Sequence, residues 1–115
     1  MRDERGAALL GGVALADLIS PASEAGSRGA GGLTERFSTP FYVYDLDAIA
    51  KEARDLIAAF GSTPHLVAYA MKANSAGPIL RALAKEGCGT EVVTGSELTV
   101  ALACGLPPDR ILYSG

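Results

Sequence analysis

From residue 65 onward the chain alternates between short apolar runs and helical patterns, and this alternation limits its fold more than any other feature. The first run, at 65–72, has the length of a strand and is followed by turn formers, Asn-Ser and then Gly-Pro. Two further runs, at 89–94 and 110–113, each follow a helical pattern. The order β-α-β-α-β predicts parallel strands joined by right-handed crossovers, with a barrel segment and an open sheet as alternatives.

Other elements are predicted from local patterns. Residues 41–44 are aromatic and β-branched, which predicts a strand, and Asp45 is an N-cap candidate for the helix that follows. Helices are predicted at 13–19, 46–60, 78–86 and 95–104. The residues expected to face the core are Leu46, Ile49, Ala53, Leu56, Ile57 and Phe60 in the second helix, Ile79, Leu80 and Leu83 in the third, and Leu98, Ala101 and Leu102 in the last.

A single lysine ends the first apolar run. Because side chains alternate along a strand, a strand over 65–72 would place Lys72 on the same face as Ala68 and Ala70. These small residues would leave room for a bound molecule at the carboxyl end of a parallel strand, where such sheets place their chemistry. The alternative is a charged strand end in solvent, which is the usual situation of a lysine.

Two acidic residues lie on the next strand and helix. Glu91 ends the apolar part of the strand, where its carboxylate would face either the pocket beside Lys72 or solvent. Residues 94–97, Thr-Gly-Ser-Glu, match a capping box, in which the glutamate accepts a hydrogen bond from the backbone N–H of the cap residue. We therefore expect Glu97 to be mainly a helix cap.

Composition argues against several classes of function. The net charge is −3 and there is no basic cluster, so neither nucleic acid nor an anionic membrane is an expected partner. Cys88 and Cys104 lack metal-ligand spacing, and His65 is the only histidine, so no metal site is expected. Two isolated cysteines suit a reducing cytosol.

The N-terminal apolar stretch at 7–16 could imitate a signal peptide. Its leader carries two charges of each sign, and Gly11 and Gly12 interrupt the apolar core. It is also far shorter than the ~20 apolar residues of a transmembrane helix. These features predict a soluble, cytoplasmic protein. Residues 1–38 are a poorly determined N-terminal segment with a Gly/Ala/Ser-rich linker at 21–32.

The string at 69–74, Tyr-Ala-Met-Lys-Ala-Asn, closely resembles the first-strand signature of the fold-type III pyridoxal-phosphate decarboxylases, the family of the ornithine, diaminopimelate and arginine decarboxylases. The resemblance begins at residues 39–45, Thr-Pro-Phe-Tyr-Val-Tyr-Asp, and continues through 91–98 to 111–115. Within the family, the diaminopimelate decarboxylases are the most similar. Residues 39–115 are therefore expected to form the N-terminal part of a pyridoxal-phosphate-binding barrel domain.

The resemblance implies an α/β fold, the N-terminal portion of a (β/α)8 TIM-like barrel of the alanine-racemase-like type. The barrel is incomplete in this chain, since such barrels typically have ~250 residues. Lys72 is implied to be the Schiff-base lysine that carries pyridoxal 5'-phosphate. Glu91, where the family usually has Asp, is implied to contact the cofactor, and Glu97 is at the pocket edge. The implied reaction converts meso-2,6-diaminopimelate to L-lysine and CO2 in a full-length homodimer.

Departures from the family pattern leave other readings open. The chain has no counterpart of the family's Gly-rich phosphate-binding segments or of its ring-nitrogen carboxylate, so we expect the isolated 115-residue chain to be inactive. The alternative function is a non-catalytic, stand-alone remnant or interaction module derived from this family. An amino-acid racemase is disfavoured, because Ala-Asn-Ser follows Lys72 where racemases have an Ala-Asp-Ala-Tyr pattern.

Overall fold

The computed structural model describes residues 9–10, 13–19, 33, 37 and 40–115, and the chain divides into two compact units between Asp45 and Leu46. In the first unit, strand β1 (Leu9–Leu10) pairs antiparallel with β2 (Val13–Ala14), and helix α1 follows at Leu15–Ile19. The helix predicted at 13–19 begins two residues late, because its first two residues pair with β1 instead. The predicted linker at 21–32 and the predicted domain boundary after residue 38 lie outside the described residues.

The prediction of a strand at 41–44 is wrong. Residues 41–44 form neither helix nor strand, and the side chain of Tyr42 is 89% exposed. The Tyr42 and Tyr44 rings stack on each other, with their centroids 6.4 Å apart. Aromatic and β-branched residues favour a strand only where they can pack on the pleated surface of a sheet. No described strand pairs with residues 41–44.

The second unit is an α/β arrangement that begins with helix α2 (Leu46–Ala59) directly after Asp45. Strands β3 (Ala68–Ala70), β4 (Gly89–Val92) and β5 (Ile111–Tyr113) form a parallel sheet in that order, with Tyr69 opposite Thr90 and Thr90 opposite Ile111. The predicted β-α-β-α-β order is confirmed. The elements are α2 (Leu46–Ala59), β3 (Ala68–Ala70), a 3-10 turn (Met71–Ala73), α3 (Gly77–Lys85), β4 (Gly89–Val92), α4 (Gly95–Ala103), a second 3-10 turn (Pro108–Arg110) and β5 (Ile111–Tyr113).

The two faces of this sheet differ in their cover. Tyr69, Val92 and Ile111 lie on the helix face and pack into the hydrophobic core. The opposite side, called the open face below, carries Ala68, Ala70, Gly89, Glu91 and Leu112, of which only Gly89 is buried. The core has two clusters, one of Met71, Leu80, Val92, Ala101, Cys104 and Leu106, and one of Ala53, Ile79, Leu83 and Cys88.

The predicted apolar faces of two helices are only partly buried. In α2, Ile49, Ala53 and Ile57 pack into the second core cluster, and successive members of this row are four residues apart. A row of residues at this spacing forms a narrow strip along the helix, and the second core cluster covers only this strip. The flanking residues Leu46, Leu56 and Phe60 therefore stay 37–50% exposed. In α4, Ala101 is buried as predicted, whereas Leu98 and Leu102 are 39% and 46% exposed.

In the part of the chain that the structure describes, no helix is long and apolar enough to cross a membrane. Among the same residues, no group of three or more His, Cys, Asp or Glu side chains is placed to hold a metal ion.

Candidate active site

Lys72 lies in the middle of the 3-10 turn that directly follows β3. Its side chain is exposed, and among the described residues it has no hydrogen-bond or ion-pair partner. Strand pairing ends at Ala70, so the prediction that the strand extends to Lys72 is wrong by two residues. The reason is that the chain turns toward α3, which begins at Gly77. Lys72 nevertheless lies at the carboxyl end of the first strand of the parallel sheet, as predicted.

Hydrogen bonds hold the backbone on both sides of this turn. The Tyr69 hydroxyl donates to the backbone carbonyl of Asn74 at 3.1 Å, and the Asn74 Oδ1 accepts from the backbone N–H of Ala76 at 2.9 Å. On the neighbouring strand, the Thr90 hydroxyl donates to the Tyr69 carbonyl at 2.8 Å. Met71, within the turn, is 1% exposed and belongs to the core. The segment that carries Lys72 is therefore attached to the sheet and to the start of α3.

The open face next to the lysine turn has small side chains. Ala70 is two residues before Lys72, and Gly89 lies opposite Ala68 on β4. Gly89 has no space for a side chain, because an added Cβ would overlap with the Arg110 carbonyl oxygen. The open face therefore carries small side chains on β3 next to the lysine turn, whereas the space in front of Gly89 is filled by the Arg110 backbone and Leu66.

A separate cavity of about 680 Å³ lies beside β3, a volume typical of ligand pockets. It is lined by Ala70 and Ala73 and by apolar residues of α2 that include Ile49 and Leu56, but Lys72 is not part of its lining. The Lys72 side chain therefore lies outside this cavity, although Ala70 belongs to both the cavity wall and the open face.

Glu91 lies on β4 directly opposite Ala70, on the open face. Its side chain is half-buried, and its Oε1 accepts a hydrogen bond from the Ser114 hydroxyl. The backbone N–H of Ser114 in turn donates to the Val92 carbonyl at 3.1 Å, which attaches this serine to the sheet. The structure thus places Glu91 at the same end of the sheet as Lys72, opposite the last strand residue before the lysine turn.

Ser114 lies at the candidate site through its hydrogen bond to Glu91, and sequence reasoning did not single it out. The available signal was its position immediately after the third strand, because the carboxyl ends of parallel strands meet at one edge of the sheet.

Glu97 is a helix cap, as predicted. Its Oε2 accepts from the backbone N–H groups of Val93 and Thr94, at 2.7 and 3.2 Å, while its own N–H donates to the Thr94 hydroxyl at 3.2 Å. The reciprocal bonds of a capping box are both present at the start of α4. The Glu97 carboxylate is thereby held against the backbone of its own helix.

The comparison with protein families identifies the family to which the domain around Lys72 belongs. A family model described as the pyridoxal-binding domain of the pyridoxal-dependent decarboxylases matches residues 46–115, which is more than half of the chain. The chain therefore belongs to the pyridoxal-dependent decarboxylases, through their pyridoxal-binding domain. This match confirms the family and the cofactor, pyridoxal phosphate, that the sequence predicted.

The individual relatives are diaminopimelate decarboxylases. The enzyme of Pseudomonas fluorescens is 43% identical over 83 residues, which are 72% of this chain and 20% of that protein. A crystal structure of the Helicobacter pylori enzyme complexed with L-lysine has a TM-score of 0.64 at 40% identity, over 72% of this chain and 21% of that one. The enzyme from M. jannaschi has a TM-score of 0.58 at 38% identity, over 72% and 20%.

These matches have two consequences. The fold class, an α/β portion of the N-terminal barrel, is confirmed by structures that share both sequence and backbone with this chain. The chain also spans only about one fifth of the length of the curated relatives that it matches.

Proposed function

We propose that this chain provides the lysine-bearing part of a pyridoxal-phosphate-dependent decarboxylase that converts meso-2,6-diaminopimelate to L-lysine and CO2. The observation that carries the proposal is the position of Lys72, an exposed lysine on a turn at the carboxyl end of the first strand of a pyridoxal-binding domain. The substrate is proposed because the similar proteins are diaminopimelate decarboxylases, one of them complexed with L-lysine.

The residues present fit the cofactor. Lys72 supplies an exposed primary amine that can bond to an aldehyde, and Ala70, two residues before it, has a small side chain at the same end of the sheet. When bound, pyridoxal phosphate supplies a ring that takes up the electron pair left behind when the carboxylate departs.

Each polar residue of the site has a distinct part in this proposal. Lys72 would hold the cofactor through its Nζ, and the same amine would hold a proton beside the reacting carbon. Glu91 would contact the cofactor through its carboxylate, whose Oε1 accepts a hydrogen bond from the Ser114 hydroxyl. We further propose that the whole protein acts as a homodimer in the cytoplasm.

A chimaeric enzyme tests this function. Residues 46–115 would replace the matching segment of the Helicobacter pylori diaminopimelate decarboxylase, to which this chain is 40% identical. We expect CO2 release from meso-diaminopimelate, with loss of that activity in Lys72→Ala. Lys85→Ala is the matched control, because Lys85 is an exposed residue in the last turn of α3, and it should keep the activity.

Two results would contradict the proposal. One is a Lys72→Ala chimaera as active as its parent. The other is a soluble chimaera that holds the cofactor and releases no CO2, a result that would favour a non-catalytic module.

A further inference from the structure

Tyr69 and Asn74 bracket the turn that carries Lys72, and a direct hydrogen bond joins them. The hydroxyl of Tyr69 donates to the Asn74 carbonyl at 3.1 Å, across five residues of sequence. The bond closes a loop whose central part is the 3-10 turn at Met71–Ala73. The proposed function assigns no role to this phenol.

Tyr69 is itself held firmly on the sheet side of this loop. Its ring packs against both hydrophobic core clusters. Its carbonyl accepts from the hydroxyl of Thr90, a residue with 0% exposure, and its backbone is part of strand β3. A phenol that is anchored in this way can hold a neighbouring backbone segment in place.

The turn has little support of its own. Three residues form a single 3-10 turn, whose hydrogen-bond geometry is poorer than that of an α-helix. The flanking residues, Ala70 and Asn74, are both extended, with φ values of −75° and −166°, so no longer helix continues the turn on either side. Lys72 and Ala73 are exposed, and only Met71 is anchored in the core. The bond from Tyr69 fixes the far end of the turn.

We propose that Tyr69 is a positioning residue for Lys72, and this inference rests on the function proposed above. By holding the Asn74 carbonyl, the Tyr69 hydroxyl fixes the backbone from which the lysine side chain extends. A lysine has a long, flexible stem, so its reactive nitrogen is placed no better than its backbone. Small displacements of a reacting group lower the rate strongly, which makes this support matter for the reaction of the amine.

The test uses the full 115-residue chain and measures how fast Lys72 is labelled. The lysine amine condenses with the aldehyde of pyridoxal phosphate and releases water, and hydride from borohydride then makes the link permanent. Peptide mass spectrometry reports the label on each lysine over time. Removal of one hydrogen bond in Tyr69→Phe is expected to slow labelling of Lys72 about fivefold, and to leave labelling of Lys85 unchanged.

Two control variants separate positioning from general loss of stability. Tyr42→Phe makes the same chemical change at an 89% exposed tyrosine and should label like the wild type. Ile57→Val weakens the packing of α2 on the second core cluster and leaves the Tyr69 hydroxyl and the atoms of the lysine turn in the chain. It should lower the midpoint of urea unfolding as Tyr69→Phe does, while Lys72 keeps its labelling rate.

The outcomes distinguish failure of the positioning role of Tyr69 from failure of the proposed function. Equal labelling rates in Tyr69→Phe and wild type would overturn the positioning role and leave the proposed function intact. Equal slowing in Ile57→Val would also overturn it, because the effect would then be one of stability. Absence of label from Lys72 in the wild type would instead contradict the proposed function. Should Tyr69→Phe not fold, Asn74→Gly loosens the acceptor residue and must also slow labelling, and an unchanged rate would overturn the inference.

Discussion

At the scale of single residues, Gly89 marks a close approach between β4 and Arg110, the residue directly before β5. An added Cβ would overlap with the Arg110 carbonyl oxygen, which belongs to the backbone and cannot rotate away, and would lie 3.2 Å from a methyl carbon of Leu66. The glycine therefore serves a close approach of two backbones.

Gly89→Ala is expected to destabilise the chain. Overpacking at a site that cannot relax costs about 1–3 kcal/mol, which urea unfolding would measure as a lower midpoint. Gly95→Ala is the matched control, because a Cβ there has no other atom within 4 Å and Gly95 is the first residue of α4. Equal stabilities of Gly89→Ala and wild type would contradict the close approach.

The thiol of Cys88 makes stability depend on pH. Burial raises the pKa of this thiol above its ordinary value, and the charge of Glu86 raises it further. At alkaline pH the folded chain therefore keeps a proton that the unfolded chain has lost. The stabilising contribution is complete below the pKa of the unfolded thiol and is lost as the pH rises through the folded pKa.

We therefore expect the free energy of unfolding to fall more steeply with alkaline pH in the wild type than in Cys88→Ala. Urea unfolding at a series of pH values measures both slopes. Parallel curves for the two proteins would show that burial of this thiol does not affect its ionisation.

At the scale of elements, the start of α4 depends on a side chain that can be removed cleanly. The Thr94 hydroxyl accepts from the backbone N–H of Glu97, and loss of such a cap costs about 1 kcal/mol. Thr94→Ala should lower the free energy of unfolding by that amount, whereas Thr94→Ser keeps the hydroxyl and most of the stability. Thermal unfolding of the three proteins compares them, and an equal loss in both variants would contradict the capping role.

The same scale shows what the sequence can predict. Helix α3 was expected at 78–86 and lies at Gly77–Lys85, because proline at its start and glycine after its end are local signals. The strand expected at 65–72 is paired only at Ala68–Ala70, because an apolar run does not reveal where its partner strand ends. The exposure of Leu56 and Leu102 could not be predicted either, because an apolar helical stripe does not indicate how many neighbouring elements pack against it.

For the candidate site, the sequence indicated Lys72, Glu91 and the cap at Glu97. The hydrogen bonds from Tyr69 to Asn74 and from Ser114 to Glu91 were not predictable. The first depends on the 3-10 turn, and the second joins residues 23 positions apart that only the parallel register of the sheet brings together.

At the scale of the whole molecule, the three parallel strands and their covering helices hold Lys72, the proposed cofactor lysine, at the carboxyl edge of the sheet. The chain has three lysines, Lys51, Lys72 and Lys85. Lys51 is the least suited to bond with an aldehyde, because a hydrogen bond to Asp55 and the charge of that carboxylate raise its pKa and keep the amine protonated. Lys72 has no such partner among the described residues.

The most direct test of this account is to find which lysine takes the cofactor. The chain would be incubated with pyridoxal phosphate, reduced with borohydride and digested, and the pyridoxyl group located by mass spectrometry. The account predicts that Lys72 carries most of the label and that Lys72→Arg abolishes it, with Lys51 and Lys85 hardly modified. A label on Lys51 or Lys85, or one shared evenly among the three lysines, would contradict the assignment of Lys72 as the cofactor lysine.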